Sequence, residues 1–169
     1  VLYALAGERL SEPGREAFRR GEAYLRSSIG PEGMLGRESP PYANAMAIVA
    51  LLRHEGAERD PDLARLAKGL VDCQLAEPMG WTPGDEAYGG WDRSGALARK
   101  PLLIQADVSV AAYVLEALNL VGPNSPDPVW DRARLFLSRC RRPDGGYVYP
   151  PVKAHDWKHT AGPGRSYST

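Results

Sequence analysis

The chain has 169 residues, of which 43% are hydrophobic and 25% charged, a composition that suits one globular core and excludes a disordered or fibrous protein. Its 21 basic and 21 acidic residues cancel, so no nucleic-acid-binding surface is predicted. No apolar run approaches the roughly 18 residues of a membrane-spanning helix, and we predict no transmembrane segment.

The chain opens with VLYALAG, an apolar stretch that we interpret as the tail of a buried helix. Its first residue is Val1 rather than Met, and no basic leader is present, so we expect a processed or truncated chain. An amphipathic helix is predicted next, over residues 14–30. The apolar segment 42–56 then predicts a second buried helix.

Two Asp-Pro pairs mark the starts of amphipathic helices, at Asp60-Pro61 and at Asp127-Pro128. An Asp at the N-cap accepts hydrogen bonds from free amides, and a Pro at the first helical position has no amide to leave unpaired. Between these two helices, residues 107–122 are apolar nearly all round, which predicts a buried helix closed by Gly122. The last five residues, RSYST, are interpreted as the start of another buried helix.

A spacing of 67 residues relates two parts of the chain. The matched pairs are Asp60 with Asp127, Arg65 with Arg132, Leu70 with Leu137, and Cys73 with Cys140. The repeating unit is a buried helix followed by an amphipathic one, with Gly-rich turns between units. We therefore predict one all-α domain over 1–169, with units at about 1–41, 42–105 and 106–165 and another starting at 166.

The second amphipathic helix resembles the QW repeat, in which a basic and a small residue, an aromatic-aliphatic pair, a Gln and Gly-x-Trp follow in order. Arg132-Ala133 and Phe136-Leu137 fit the pattern, Arg141 stands for the Gln and Tyr147 for the Trp. Degenerate copies include Arg20-Gly21 with Tyr24-Leu25, and Leu70 with Gln74.

The chain is thus similar to the superfamily of squalene-hopene cyclases and protein prenyltransferases. The resemblance implies an α/α toroid, in which inner and outer helices alternate around a central cavity, here as a partial ring. It also implies an isoprenoid-like or other hydrophobic ligand and no cofactor. We assign five aromatic residues as candidate ligand contacts: Trp81, Tyr88, Trp91, Tyr113 and Tyr147.

The cyclases of this family carry a D-x-D-D-T-A acid motif at the head of an inner helix that continues V-L-x-A-L, as residues 114–118 do here. Asp107 matches the first Asp, but Ser109 and Val110 replace the central acid and its neighbour. A serine hydroxyl cannot protonate an alkene. Asp107 is therefore predicted to be a helix cap rather than a catalytic acid.

Metal binding is not predicted, although prenyltransferases of the family hold zinc with an Asp, a Cys and a His. Neither Cys73 nor Cys140 has an Asp two residues before it, and both fit core-facing positions. Two cysteines are too few for a disulfide scaffold, which suits a reduced, cytoplasmic setting. His155, Asp156 and His159 have a spacing that binds metal on a helix, but their Pro- and Gly-rich surroundings favour a loop.

The connection 77–105 is long enough to be a lid, a pocket wall or an insertion. Its acids, Asp85, Glu86 and Asp92, could serve a glycosidase, although solvated side chains are the simpler interpretation.

Three functions remain open. The first is binding of a hydrophobic molecule in a central cavity without the protonation chemistry. The second is a fragment of a true terpene cyclase whose acid lies outside this chain. The third is a protein-interaction scaffold, whose partner is another protein or the remainder of the ring. Because an open ring exposes apolar helix faces, we expect the chain alone to be poorly stable or to associate.

Overall fold

The computed structural model describes residues 11–36, 38–52, 60–95, 100, 106–122 and 127–148. These residues form five α-helices: α1 Glu12–Ser27, α2 Pro40–Leu52, α3 Pro61–Asp72, α4 Val108–Val121 and α5 Asp127–Cys140. A single turn of 3₁₀ helix, Glu77–Met79, follows α3. Within the described ranges β-structure is limited to isolated bridges, so the all-α prediction is confirmed.

The helices fall into two types that alternate along the chain. Nine residues of α2 and six of α4 are buried, and neither helix has a polar stripe of the kind seen on its neighbours. By contrast, α1, α3 and α5 each keep a charged face in water. The alternation of apolar and amphipathic helices is therefore confirmed over this part of the chain.

The predicted helix starts are also found. The Asp60 side chain accepts a hydrogen bond from the Asp62 amide at 2.9 Å, with Pro61 at the first position of α3. The last helix begins at Asp127, as the second Asp-Pro pair predicts. On α5, Val129, Ala133, Phe136 and Cys140 are buried, while Trp130 and Leu137 are half-buried.

The apolar helices α2 and α4 pack against each other, and α3 packs against both. Their N-terminal ends lie together, since the Tyr42 hydroxyl and the Ser109 Oγ are 2.5 Å apart. These two residues are separated by 67 positions, so equivalent positions of the repeat meet in space. The remaining helix, α5, packs against α4.

Two buried side-chain amides tie the units together. The Asn44 Oδ1 accepts from the Leu35 amide at 2.8 Å, while its Nδ2 donates to the Gly33 carbonyl at 2.7 Å and the Leu66 carbonyl at 3.1 Å. Each of these contacts links α2 to a Gly turn or to α3. Burial makes them important, because an unsatisfied carbonyl in the core destabilises the fold.

Gln74 makes the corresponding tie in the next unit. Its Nε2 donates to the carbonyls of Gly89 and Val129, each at 3.0 Å. The turn at Gly89 is thereby held against the first turn of α5. Close approach of the turn to α5 also requires glycine, because a Cβ on Gly89 would lie 2.0 Å from the Arg132 carbonyl oxygen.

Within the described residues, none of the helices combines the length and the apolar character needed to cross a membrane.

Candidate functional site

Asp107 lies at the head of α4, where it acts as the helix cap. Its Oδ1 accepts hydrogen bonds from the amides of Ser109, at 2.7 Å, and Val110, at 3.3 Å. The residue is only 2% exposed. These contacts satisfy two of the free amides at the helix start, so the predicted N-cap role is confirmed.

The second carboxylate oxygen of Asp107 faces a cation. The Oδ2 is buried without a hydrogen bond, and the Nε of Arg93 lies 3.4 Å away in an ion pair. The Arg93 side chain is 60% exposed, so it covers the carboxylate from the solvent side. Both the capping amides and the guanidinium stabilise a negatively charged carboxylate. This arrangement suits a cap and ion-pair partner better than a proton donor.

An aromatic pair lies beside the cap. The rings of Tyr42 on α2 and Tyr113 on α4 meet edge to face, with centroids 5.4 Å apart and planes at 61°. The Arg93 guanidinium lies 5.9 Å from the Tyr42 centroid. Because Tyr42, Ser109 and Tyr113 are all half-buried, they form a partly accessible aromatic surface with polar groups at its edge. We call these residues, together with Asp107 and Arg93, the helix-head cluster.

The exposed side of α4 continues from this cluster along the helix. Glu116, Asn119 and Leu120 are exposed, with Leu120 at 49%. The face is therefore mixed, aromatic at the head of the helix and partly charged farther along it.

Three of the predicted ligand contacts lie in the connection between α3 and α4, packed into the core. Trp91 is fully buried, and its indole N–H donates to the Leu70 carbonyl at 2.8 Å. The Tyr88 hydroxyl donates to Glu77 at 2.5 Å and accepts from Arg132 at 3.3 Å, and burial raises its pKa. Trp81 is 6% exposed, with the Lys100 ammonium 5.6 Å from its ring centroid.

The other two predicted contacts lie apart from that group. Tyr113 belongs to the helix-head cluster. Tyr147 is half-buried in the turn after α5, where it packs against the core and forms a backbone bridge with Arg141.

The acids of the connection have structural partners. Asp85 accepts from the Lys100 ammonium at 2.5 Å and from the Thr82 amide at 2.8 Å, and these hydrogen bonds lower its pKa to about 2. The Arg139 guanidinium donates to the Asp85 carbonyl at 2.6 Å. Asp85 therefore organises the turn that α5 packs against.

A metal centre finds no support in the described part of the chain, where no group of three His, Cys, Asp or Glu side chains converges. Both cysteines are buried and free, and burial raises the pKa of each thiol to about 12. The candidate ligands His155, Asp156 and His159 lie outside the described residues.

Sequence reasoning missed Tyr42 and Arg93 as members of the helix-head cluster. The signal for Tyr42 was present, because the spacing of 67 residues places it opposite Ser109. The sequence also left Gln74 without its Gly-x-Trp partner. In space, Gln74 bonds to Gly89 of the Gly89-Gly90-Trp91 turn, across an insertion that hides the match along the chain.

A separate apolar cavity of about 560 Å³ lies between α1 and α2. The five aromatic residues predicted as ligand contacts are not among the residues that line it.

No protein-family model matches the chain, and no curated protein matches it with significant similarity.

Proposed function

We propose that this chain is part of an α/α toroid that binds an isoprenoid-like or other hydrophobic molecule against the helix-head cluster. In this segment the ligand is bound without being protonated. The observation that carries the proposal is the partly exposed Tyr42–Tyr113 pair at the joined ends of two apolar helices.

An aromatic pair of this kind suits a hydrophobic ligand. The two rings meet edge to face, so a ring face remains for alkyl or alkene groups, and aromatic contacts contribute about 0.5–1.5 kcal/mol beyond the burial of their area. The polar edge at Ser109 and Arg93 would orient a ligand that has one polar end.

The absence of protonation follows from the same cluster. Asp107 is bonded to two backbone amides and paired with Arg93, and Ser109 stands next in the motif. None of these groups has the acidity that protonation of an alkene requires. The alternation of apolar and amphipathic helices, with equivalent positions in contact, supports the toroid.

The proposal is tested by measuring the binding of farnesol and squalene to the full chain by thermal shift, with a sugar as the polar control. We expect a preference for the two isoprenoids. Tyr113→Ala should weaken their binding by about two- to tenfold, the loss that corresponds to one aromatic contact.

The matched control is Tyr24→Ala, since Tyr24 is 72% exposed on α1 and lies outside the cluster. This variant should bind as the parent chain does. Equal affinity for isoprenoid and sugar, or equal effects of the two substitutions, would show that the helix-head cluster is not the ligand site.

A further inference from the structure

The groove between α1 and α2 is the largest apolar space that the described residues enclose among the cavities recorded, at about 560 Å³. From α1 it is lined by Ala17, Gly21, Tyr24, Leu25 and Ser28, and from α2 by Ala43, Met46, Ala47 and Ala50. The two helices make few backbone contacts with each other, and α1 buries only Phe18 and Glu22. The helix α1 is therefore incompletely packed on its apolar side.

The internal repeat shows what normally fills such a groove. The outer helices α1 and α3 end at equivalent positions, with C-caps at Ser28 and Cys73. This equivalence matches the groove-lining residues Gly21, Leu25 and Ser28 of α1 with Leu66, Leu70 and Cys73 of α3. The three residues on α3 are at most 1% exposed.

The cover over those α3 residues includes α2. The helices α2, α3 and α4 all contact one another, so α2 lies against the groove that α3 and α4 form. The α1–α2 pair is the same combination of outer and following inner helix, one unit earlier in the chain. By this equivalence, the occupant of the α1–α2 groove is an apolar helix of the α2 type.

We propose that the groove between α1 and α2 is the docking site of residues 1–7, VLYALAG, which precede α1 as α2 precedes α3. The offset of 45 residues that matches Ser28 with Cys73 aligns residues 1–7 with residues 46–52, the C-terminal half of α2. The segment carries no charge, and its apolar side chains match the lining of the groove.

The dimensions agree with this occupant. The lining of α2 runs from Ala43 to Ala50, about 10 Å at a rise of 1.5 Å per residue, and seven helical residues span the same length. Ala43, Ala47 and Ala50 are small, so a second helix can approach α2 closely. The proposal does not depend on ligand binding at the helix-head cluster.

A disulfide trap in the full chain tests the docking. The contact between Tyr42 and Ser109 shows that equivalent positions of neighbouring inner helices meet, and two turns farther along the same face this rule pairs Leu5 with Ala50. The Leu5→Cys/Ala50→Cys variant should form an intramolecular disulfide under mild oxidation. The control is Leu5→Cys/Leu120→Cys, because Leu120 is 49% exposed on α4. We expect the first pair to cross-link at least tenfold faster.

Three outcomes would overturn the proposal. Equal cross-linking of the two pairs would mean that residues 1–7 have no preferred position. A disulfide between two chains would give the groove to a second copy. Slower cross-linking in the presence of farnesol would give it to a small molecule, whereas loss of farnesol binding through Tyr113→Ala concerns only the helix-head cluster.

A second measurement keeps the test decisive if the cysteine variants fold poorly. Leu5→Asp places a charge in the docked segment and should lower the melting temperature of the full chain by several degrees, because a buried unpaired charge is strongly destabilising. Leu120→Asp, which adds the same charge at an exposed position, should leave it nearly unchanged. Equal melting temperatures for the two variants would contradict docking.

Discussion

At the scale of single residues, Asp107 separates capping from acid catalysis. Its cap depends on an oxygen acceptor, which Asn retains and Ala lacks. We expect Asp107→Asn to leave stability nearly unchanged and Asp107→Ala to lower the free energy of unfolding by about 1 kcal/mol. Urea denaturation of both variants checks this, with Asp60→Ala, which removes the cap of α3, as the comparison.

The ion pair with Arg93 provides the competing explanation. If the charge of Asp107 rather than its acceptor oxygen stabilised α4, Asp107→Asn would be as unstable as Asp107→Ala. That result would make the pair with Arg93, at 3.4 Å, the main contribution of this residue.

The two cysteines predict a second result at this scale. Both are at most 1% exposed, and burial raises the pKa of each thiol to about 12, so almost no thiolate is present near neutral pH. We expect neither thiol to react with a disulfide reagent at about pH 8 in the folded chain, and both to react once urea unfolds it. Rapid labelling of one thiol without denaturant would show that its helix opens locally.

At the scale of helices and turns, local patterns predicted most of the regular structure. The Asp-Pro pairs gave the starts of α3 and α5, and Asp107 gave the start of α4, because capping chemistry is local. The interior ties of Asn44 and Gln74 were not predictable, since their partners are distant in sequence. Tyr42 and Arg93 were missed for the same reason, while Trp91 proved to be a core residue bonded to Leu70.

Two glycines with the same backbone angle allow a matched test of the turns. Gly89 and Gly145 both have φ +86°, but a Cβ on Gly89 would meet the Arg132 carbonyl, whereas a Cβ on Gly145 would meet nothing within 4 Å. Gly145→Ala should cost about 1–2 kcal/mol of stability from the left-handed conformation alone. Gly89→Ala should cost about 1–3 kcal/mol more, because the turn must move away from α5.

Chemical denaturation of the two glycine variants measures the difference directly. Equal losses would mean that the turn at Gly89 relaxes without disturbing α5. A larger loss for Gly145→Ala would contradict the contact between Gly89 and Arg132 altogether.

At the scale of the whole molecule, stability depends on how neighbouring units are joined. The helices α2, α3 and α4 contact one another, whereas α5 is held through α4, through Gln74 and through the connection before α4. The helix α1 has the fewest such contacts. The chain is therefore best described as a central group of three helices with a more weakly attached helix on each side.

This arrangement predicts that removing the Gln74 tie loosens one side of the molecule. Gln74→Met keeps the volume of the side chain but leaves the Gly89 carbonyl without its hydrogen bond, at a cost of about 1–3 kcal/mol. Because the lost bonds join Gly89 and Val129, native-state hydrogen exchange should accelerate in α5 more than in α2. Asn44→Ala, which breaks the equivalent tie one unit earlier, should instead accelerate exchange in α3. Equal acceleration in every helix for both variants would show that the units unfold as one cooperative body, and the division into a central group and attached helices would then be wrong.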